Sequence, residues 1–168
     1  TGMWRPSAIM ERIAEPGYEL SPALQALQQS ELITEKNLFP ELEYMFKNAL
    51  TQSVAYNSLL LGRLRELHTQ VTAAIEDLKR DNLEEHLEFL AYHYKNGDRT
   101  DKAFEFLVLA GDKAMELSST EVAKTYFTEA LALAPDALPP EAARSREQEL
   151  RARLEEIGTS SRSHEITD

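Results

Sequence analysis

The chain has 168 residues, with 18 Lys and Arg against 29 Asp and Glu, no Cys and a formal net charge of −11. That length fits one domain with at most a small appendage, and an apolar content of 42% is enough for a real core. The missing cysteines exclude disulfides, cysteine-ligated zinc, iron–sulfur clusters and thiol nucleophiles, and the acidic balance argues against general affinity for nucleic-acid backbone or anionic lipid. No apolar run is long enough for a transmembrane helix, and no charged-then-apolar signal segment opens the chain. Thr1 stands where an initiator Met is expected, so the sequence reads as a piece of a longer protein, with a processed chain as the second reading.

The first fifty residues begin with a short helix over 6–14. Ser21 followed by Pro22 reads as an N-cap with Pro at the first helical position, opening a second helix to about Ser30. Residues 32–36 and 43–46 have β-branched or aromatic content and are expected to pair as a hairpin around KNLFPEL. Helix, helix, hairpin is the ending of a winged-helix domain whose first helix would precede Thr1. Trp4, Phe39, Tyr44, Phe46 and Tyr56 supply its aromatic core. With that first helix missing, apolar surface is left exposed or covered by another copy, so a homodimer through the N-terminal segment, or a swapped N-terminal segment, is expected.

From residue 51 onward the pattern is helix after helix. The stretch 51–80 has no Pro, and Val54, Leu60, Leu64, Leu67, Val71, Ile75 and Leu78 recur as one face of a single helix, with Gly62 as its weak point. Asp81 and Glu84 form a capping-box-like pair for the next helix, which carries Leu83, Leu87, Leu90, Ala91 and Tyr94 and stops at Asn96-Gly97, where Gly is expected in the left-handed conformation. Asp98 and Asp101 restart a helix that packs through Ala103, Phe104, Leu107, Ala110, Gly111 and Ala114. Ser118 and Glu121 open another, with Val122, Ala123, Phe127, Ala130 and Leu131 inside and Pro135 as a stop. Pro140 suits the first turn of a charge-rich last helix with a stripe of Leu150, Leu154 and Ile157, after which residues 158–168 read as a disordered tail.

Two windows fit the tetratricopeptide pattern of small and large apolar positions. Leu87, Leu90, Ala91, Tyr94, Ala103, Leu107 and Ala110 form the first; Leu107, Ala110, Gly111, Ala114, Ala123, Phe127, Ala130 and Pro135 form the second. They overlap, so one helix serves both, in a register of 20 residues from Leu87 to Leu107 where a regular array has about 34. The expected architecture is therefore all-α: an irregular tetratricopeptide-like solenoid over 51–157 behind a partial winged helix with a short β-hairpin over 1–50.

The blocks FKNALTQSVAYNSLL (46–60), RLRELHTQVTAAIEDL (63–78) and LEEHLEFLAYHYKNGDRTDKAFEFLVLAGDKAMELS (83–118) resemble the region that follows the nucleotide-binding domain in bacterial STAND-type signalling ATPases, particularly those carrying an adenylate/guanylate cyclase domain. The resemblance covers about residues 1–135 and implies a winged helix followed by tetratricopeptide-like helices, in a cytoplasmic signalling protein whose ATPase and cyclase chemistry lies outside this chain. It also implies one site. Related winged helices hold a nucleotide-sensing His at the strand-to-helix junction, and alignment on Phe46 and Leu50 puts Asn48 there. Asn can donate a hydrogen bond but cannot become cationic, which leaves two readings, nucleotide sensor or junction cap.

The remaining candidates for chemistry are weak. His86 and His93 would lie about 10.5 Å apart along a helix, too far to share a metal, and packing or surface roles are expected for them as for His68 and His164. The carboxylates Glu84/Glu85/Glu88, Asp98/Asp101 and Glu155/Glu156 sit at helix starts or on charged faces, with no cleft implied between them. No phosphate-binding loop, dinucleotide fingerprint or nucleophile elbow is present. The helix that would read DNA, SPALQALQQS, has no Lys or Arg, and residues 1–50 hold 4 basic against 7 acidic residues, so DNA binding ranks below the alternatives. The expectation is a non-enzyme, with no cofactor, metal, nucleic acid or membrane, that binds a protein or peptide on a helical groove. Glu88, Tyr92 and Lys95 on one helix and Lys113 and Glu116 on the next are the candidate partner contacts, lying opposite the core stripes. An intramolecular nucleotide-state switch acting through Asn48 is the alternative.

Overall fold

The computed structural model describes residues 6–37 and 43–165. Trp4 and Phe39 lie outside them. The fold is mostly α with a short β-hairpin, as expected, and divides into two compact units, Thr1–Asn82 and Leu83–Asp168.

In the first unit, α1 (Pro6–Ile13) and α2 (Leu20–Gln29) precede β1 (Ile33–Asn37) and β2 (Glu43–Phe46), and α3 (Ala49–Asn57) and α4 (Leu61–Leu78) follow. The strands pair antiparallel, Ile33 opposite Phe46 and Glu35 opposite Tyr44, with an irregularity between Glu35 and Asn37. Helix α2 starts two residues ahead of Pro22, with Glu19 as an N-cap that makes no side-chain bond. It ends with Glu31 in the left-handed region (φ 58°). There the Leu32 amide bonds the Leu27 carbonyl and the Glu31 amide that of Gln28, a Schellman closure. Helix α1 packs on α4, where Arg12 pairs with Asp77 at 3.0 Å and Arg63 with Glu15 at 3.3 Å.

The single helix expected over 51–80 is broken in two. Ser58 Oγ donates to the Ala55 carbonyl at 2.7 Å, the Leu59 amide turns back to Tyr56, and Leu60 is extended (φ −62°, ψ 140°). Hydroxyl bonds of this kind compete with the helix ladder, and they act ahead of Gly62, which sits inside α4 with open space around it. As a result Val54 and Leu60, assigned to the core face, are exposed, as is Leu78, while Ile75 is buried.

The second unit is a stack of antiparallel helices: α5 (Leu87–Asn96), α6 (Thr100–Glu116), α7 (Thr120–Ala137) and α8 (Pro140–Glu165), each packed on the next. Every position of the two repeat windows is buried except Pro135, and α6 faces both α5 and α7, as the overlapping register requires. The small residues set the spacing. A Cβ on Gly111 would lie 2.4 Å from the Phe127 ring, so α6 and α7 meet more closely there than any side chain allows. Tyr94 stacks on Phe106 at 5.3 Å, and Arg153 lies over the Phe127 ring at 5.4 Å.

Several helix ends differ from expectation. A 3-10 segment, Arg80–His86, occupies the place of the Asp81/Glu84 capping box, because Asn82 breaks the helical path (φ −149°, ψ 37°). Gly97 ends α5 in an extended conformation (φ −96°, ψ −156°) that any residue adopts. Ser118 belongs to the end of α6, not the start of α7. It is left-handed (φ 57°), and the Ser119 amide bonds the Ala114 carbonyl at 2.8 Å in a second Schellman closure. Pro135 stands inside the last turn of α7, which runs on to Ala137, and Val122 is exposed. Pro140 does open α8, with the Ala143 amide bonded to the Pro139 carbonyl. Residues 158–165, expected to be disordered, continue α8. The i,i+4 pairs Arg151–Glu147 at 3.0 Å and Arg153–Glu149 at 2.9 Å support that charge-rich helix.

Candidate partner-binding face

On α5, Glu88, Tyr92 and Lys95 fall at i, i+4 and i+7, one stripe of the helix, and all three are exposed. The stripe is tied to α7, two helices on. Lys95 Nζ pairs with Glu129 at 2.8 Å, and the Tyr126 phenol lies near the Glu88 and Glu129 carboxylates. Burial, helped by the nearby Glu88 and Glu129 charges, raises the Tyr126 phenol above its usual range, so it stays a donor. Tyr92 is 54% exposed and meets the His93 ring edge-on at 5.2 Å, and His93 in turn lies against Phe89 at 4.2 Å. The result is a polar face spanning α5 and α7, with an exposed aromatic at its middle.

The other two candidates are placed differently. Lys113 donates to the Glu84 carbonyl at 2.6 Å, which ties α6 to the turn ahead of α5. Glu116 is exposed at the C-terminal end of α6. The structure thus brings Glu88 and Lys95 together with Tyr126 and Glu129, while Lys113 serves a backbone carbonyl. Tyr126 and Glu129 were not picked from the sequence. Their signal was available: they neighbour the core positions Phe127 and Ala130 and so lie one step off the buried stripe of α7.

Asn48 belongs to the first unit. It is the N-cap of α3, extended (φ −146°, ψ 154°), and its Oδ1 accepts the Thr51 amide at 2.7 Å. That is the junction-cap arrangement. The histidines are structural where described: His68 is buried with Nε2 3.0 Å from the Tyr56 hydroxyl, and burial lowers its pKa; His86 is buried just before α5. Asp101, in the first turn of α6, is held by both guanidinium arms of Arg99, at 2.9 and 2.8 Å. Those bonds lower its carboxyl to about 2.

A cavity of about 530 Å³ in the first unit is lined by Glu11, Tyr18, Glu19, Leu24 and Tyr44, and includes none of the candidate residues. Among the described residues, no group of three or more His, Asp or Glu is placed to hold a metal ion, and no helix is long and apolar enough to cross a membrane. No protein family, curated protein or solved structure matches the chain.

Proposed function

We propose that this chain is a non-catalytic interaction and regulatory module, a tetratricopeptide-like arm of a larger cytoplasmic STAND-type signalling ATPase or nucleotide cyclase, which holds a peptide or partner domain on the α5–α7 face. The observation that carries the reading is the polar face of Glu88 and Lys95 on α5 with Tyr126 and Glu129 on α7, bridged by the Lys95–Glu129 pair, with Tyr92 exposed beside it. Stacked helix pairs use such faces for extended or helical peptides. Lys95 is already matched by Glu129, so the face has no spare cation there, and the chain's charge of −11 favours a basic or mixed peptide over an acidic one.

The test is fluorescence anisotropy with labelled Lys-rich and Glu-rich peptides of matched length, against the unaltered chain, Glu88→Lys, Tyr92→Ala and Glu116→Lys. The Lys-rich peptide should bind more tightly, and Glu88→Lys and Tyr92→Ala should each weaken it by about tenfold. Equal affinity for both peptides, or no response to Glu88→Lys and Glu116→Lys, would reject the reading. The alternative, a nucleotide-state switch through the winged helix, draws its support from the place of Asn48 between β2 and α3. Its mark would be partner affinity that changes with nucleotide when an upstream ATPase region is attached.

A further inference from the structure

Helix α3 is folded but almost uncovered. None of its residues is buried, and all except Thr51 are exposed. A nine-residue helix is marginal in water by itself and normally depends on tertiary cover. The apolar groups left bare run along the chain on either side of it: Met45 and Phe46 at the end of β2, Leu50 and Val54 on α3, and Leu60 and Leu61 at the start of α4. Leu50 is 74% and Leu60 81% exposed. Leu50 and Val54, one turn apart, share a stripe of α3 that is left open.

Charge says what fits there. Residues 48–62 contain no charged side chain, in a chain of which 28% is charged. The cations that flank the stretch are already matched, Lys47 by Glu31 at 3.3 Å and Arg63 by Glu66 at 2.8 Å and Glu15 at 3.3 Å. A charged peptide therefore finds no ionic partner on this face. Two copies of a chain carrying −11 repel through most of their surfaces. Here they can meet without opposing like charges, apolar surface on apolar surface. We propose that this face joins two copies of the chain about a two-fold axis, α3 against α3, in an isologous contact.

Sedimentation velocity on the full chain, from about 1 to about 200 μM, tests it. The expected result is reversible association from 19.0 kDa to twice that mass. Leu50→Glu and Leu60→Glu should each raise the dimer dissociation constant at least about tenfold, with unchanged circular dichroism because both positions are exposed. Leu117→Glu is the control: it adds the same charge at an exposed leucine of the second unit, 68% exposed, and should leave the dimer intact. Mixing Leu50→Glu with Leu50→Lys should restore association, since a two-fold axis brings the two α3 helices together. A single 19.0 kDa species at every concentration, association continuing beyond the dimer, or equal weakening by Leu117→Glu would overturn the proposal.

Discussion

Gly111→Ala separates packing from helix propensity. Alanine in a helix interior is worth about 1 kcal/mol over glycine, so an isolated α6 would gain. In the stack, the new Cβ would stand 2.4, 2.6 and 2.9 Å from three carbons of the Phe127 ring, and the ring would have to retreat by about 1 Å to reach ordinary contact. It has little room to do so. Phe127 is 1% exposed, and Arg153 lies over the ring, held by Asp112 and by Glu149. Overpacking of this kind costs about 1–3 kcal/mol. A displacement forced at three ring atoms belongs at the top of that range, which leaves a net loss of about 2 kcal/mol after the propensity gain. For a unit of this size the loss amounts to a fall in Tm of about 10 °C, measured by circular dichroism at 222 nm. Gly62→Ala is the matched control, because nothing lies within 4 Å of its Cβ position. It should stabilise the first unit by about 1 kcal/mol. Gly111→Ala matching or exceeding the unaltered chain in stability would refute the close approach of α6 and α7. So would a full loss of stability that persists when Phe127 is also changed to Leu.

Ser118→Gly should stabilise the second unit by about 0.5–1 kcal/mol in urea unfolding, because Ser118 holds a left-handed conformation (φ 57°) that costs glycine least. Asn48→Ala removes the cap on the Thr51 amide and should cost α3 about 1 kcal/mol, seen as roughly fivefold faster hydrogen exchange of its first-turn amides. The pH dependence has two arms. His68 is buried with a lowered pKa, so the unfolded chain takes up its proton first; stability is lost as pH falls below the ordinary imidazole value of 6.5 and through the lower folded value, and an NMR titration should put the His68 midpoint below 6.5. Asp101 ionises more readily folded than unfolded, so its contribution is present above 3.8 and lost as pH falls through about 2, an effect that Asp101→Asn should abolish. Duplex DNA should give no anisotropy change below about 100 μM chain at moderate salt, and micromolar, salt-sensitive binding would contradict the charge argument.

What the sequence made legible is the part governed by burial. The windows from Leu87 to Ala130 fix small residues where helices approach and large ones between them, and those positions carry the core of α5, α6 and α7. The hairpin was equally legible, since β-branched and aromatic runs around a turn leave few alternatives. Local hydrogen bonding was harder to read. The break after Asn57 depends on Ser58 reaching the Ala55 carbonyl, and the left-handed Ser118 depends on carbonyls at the end of α6 finding donors. Neither alters the hydrophobic period, so the apolar pattern through 51–80 read as one helix. The candidate face was half legible for the same reason. Glu88, Tyr92 and Lys95 share a stripe by helical geometry alone, whereas their partners Tyr126 and Glu129 lie on a helix that the chain reaches only after passing through α6.

Those cross-helix partners bear on how the face would read a ligand. Helices α5 and α7 both pack on α6 through buried apolar residues, while the bond that ties α5 directly to α7 is polar, Lys95 to Glu129, with Tyr126 near Glu88. That pair is satisfied within the chain. Lys95 offers its charge to an incoming carboxylate only by giving up Glu129, and exposed pairs of this kind are worth little by themselves. An acidic ligand therefore gains little from Lys95 and meets Glu88 and Glu129 directly. A basic side chain can join the same carboxylates without breaking the bridge, since a carboxylate accepts more than one hydrogen bond. The apolar contribution comes from Tyr92, whose ring is already positioned against His93. On the proposed reading, the partner would therefore bring a cationic group to the two glutamates and an apolar or aromatic neighbour to Tyr92.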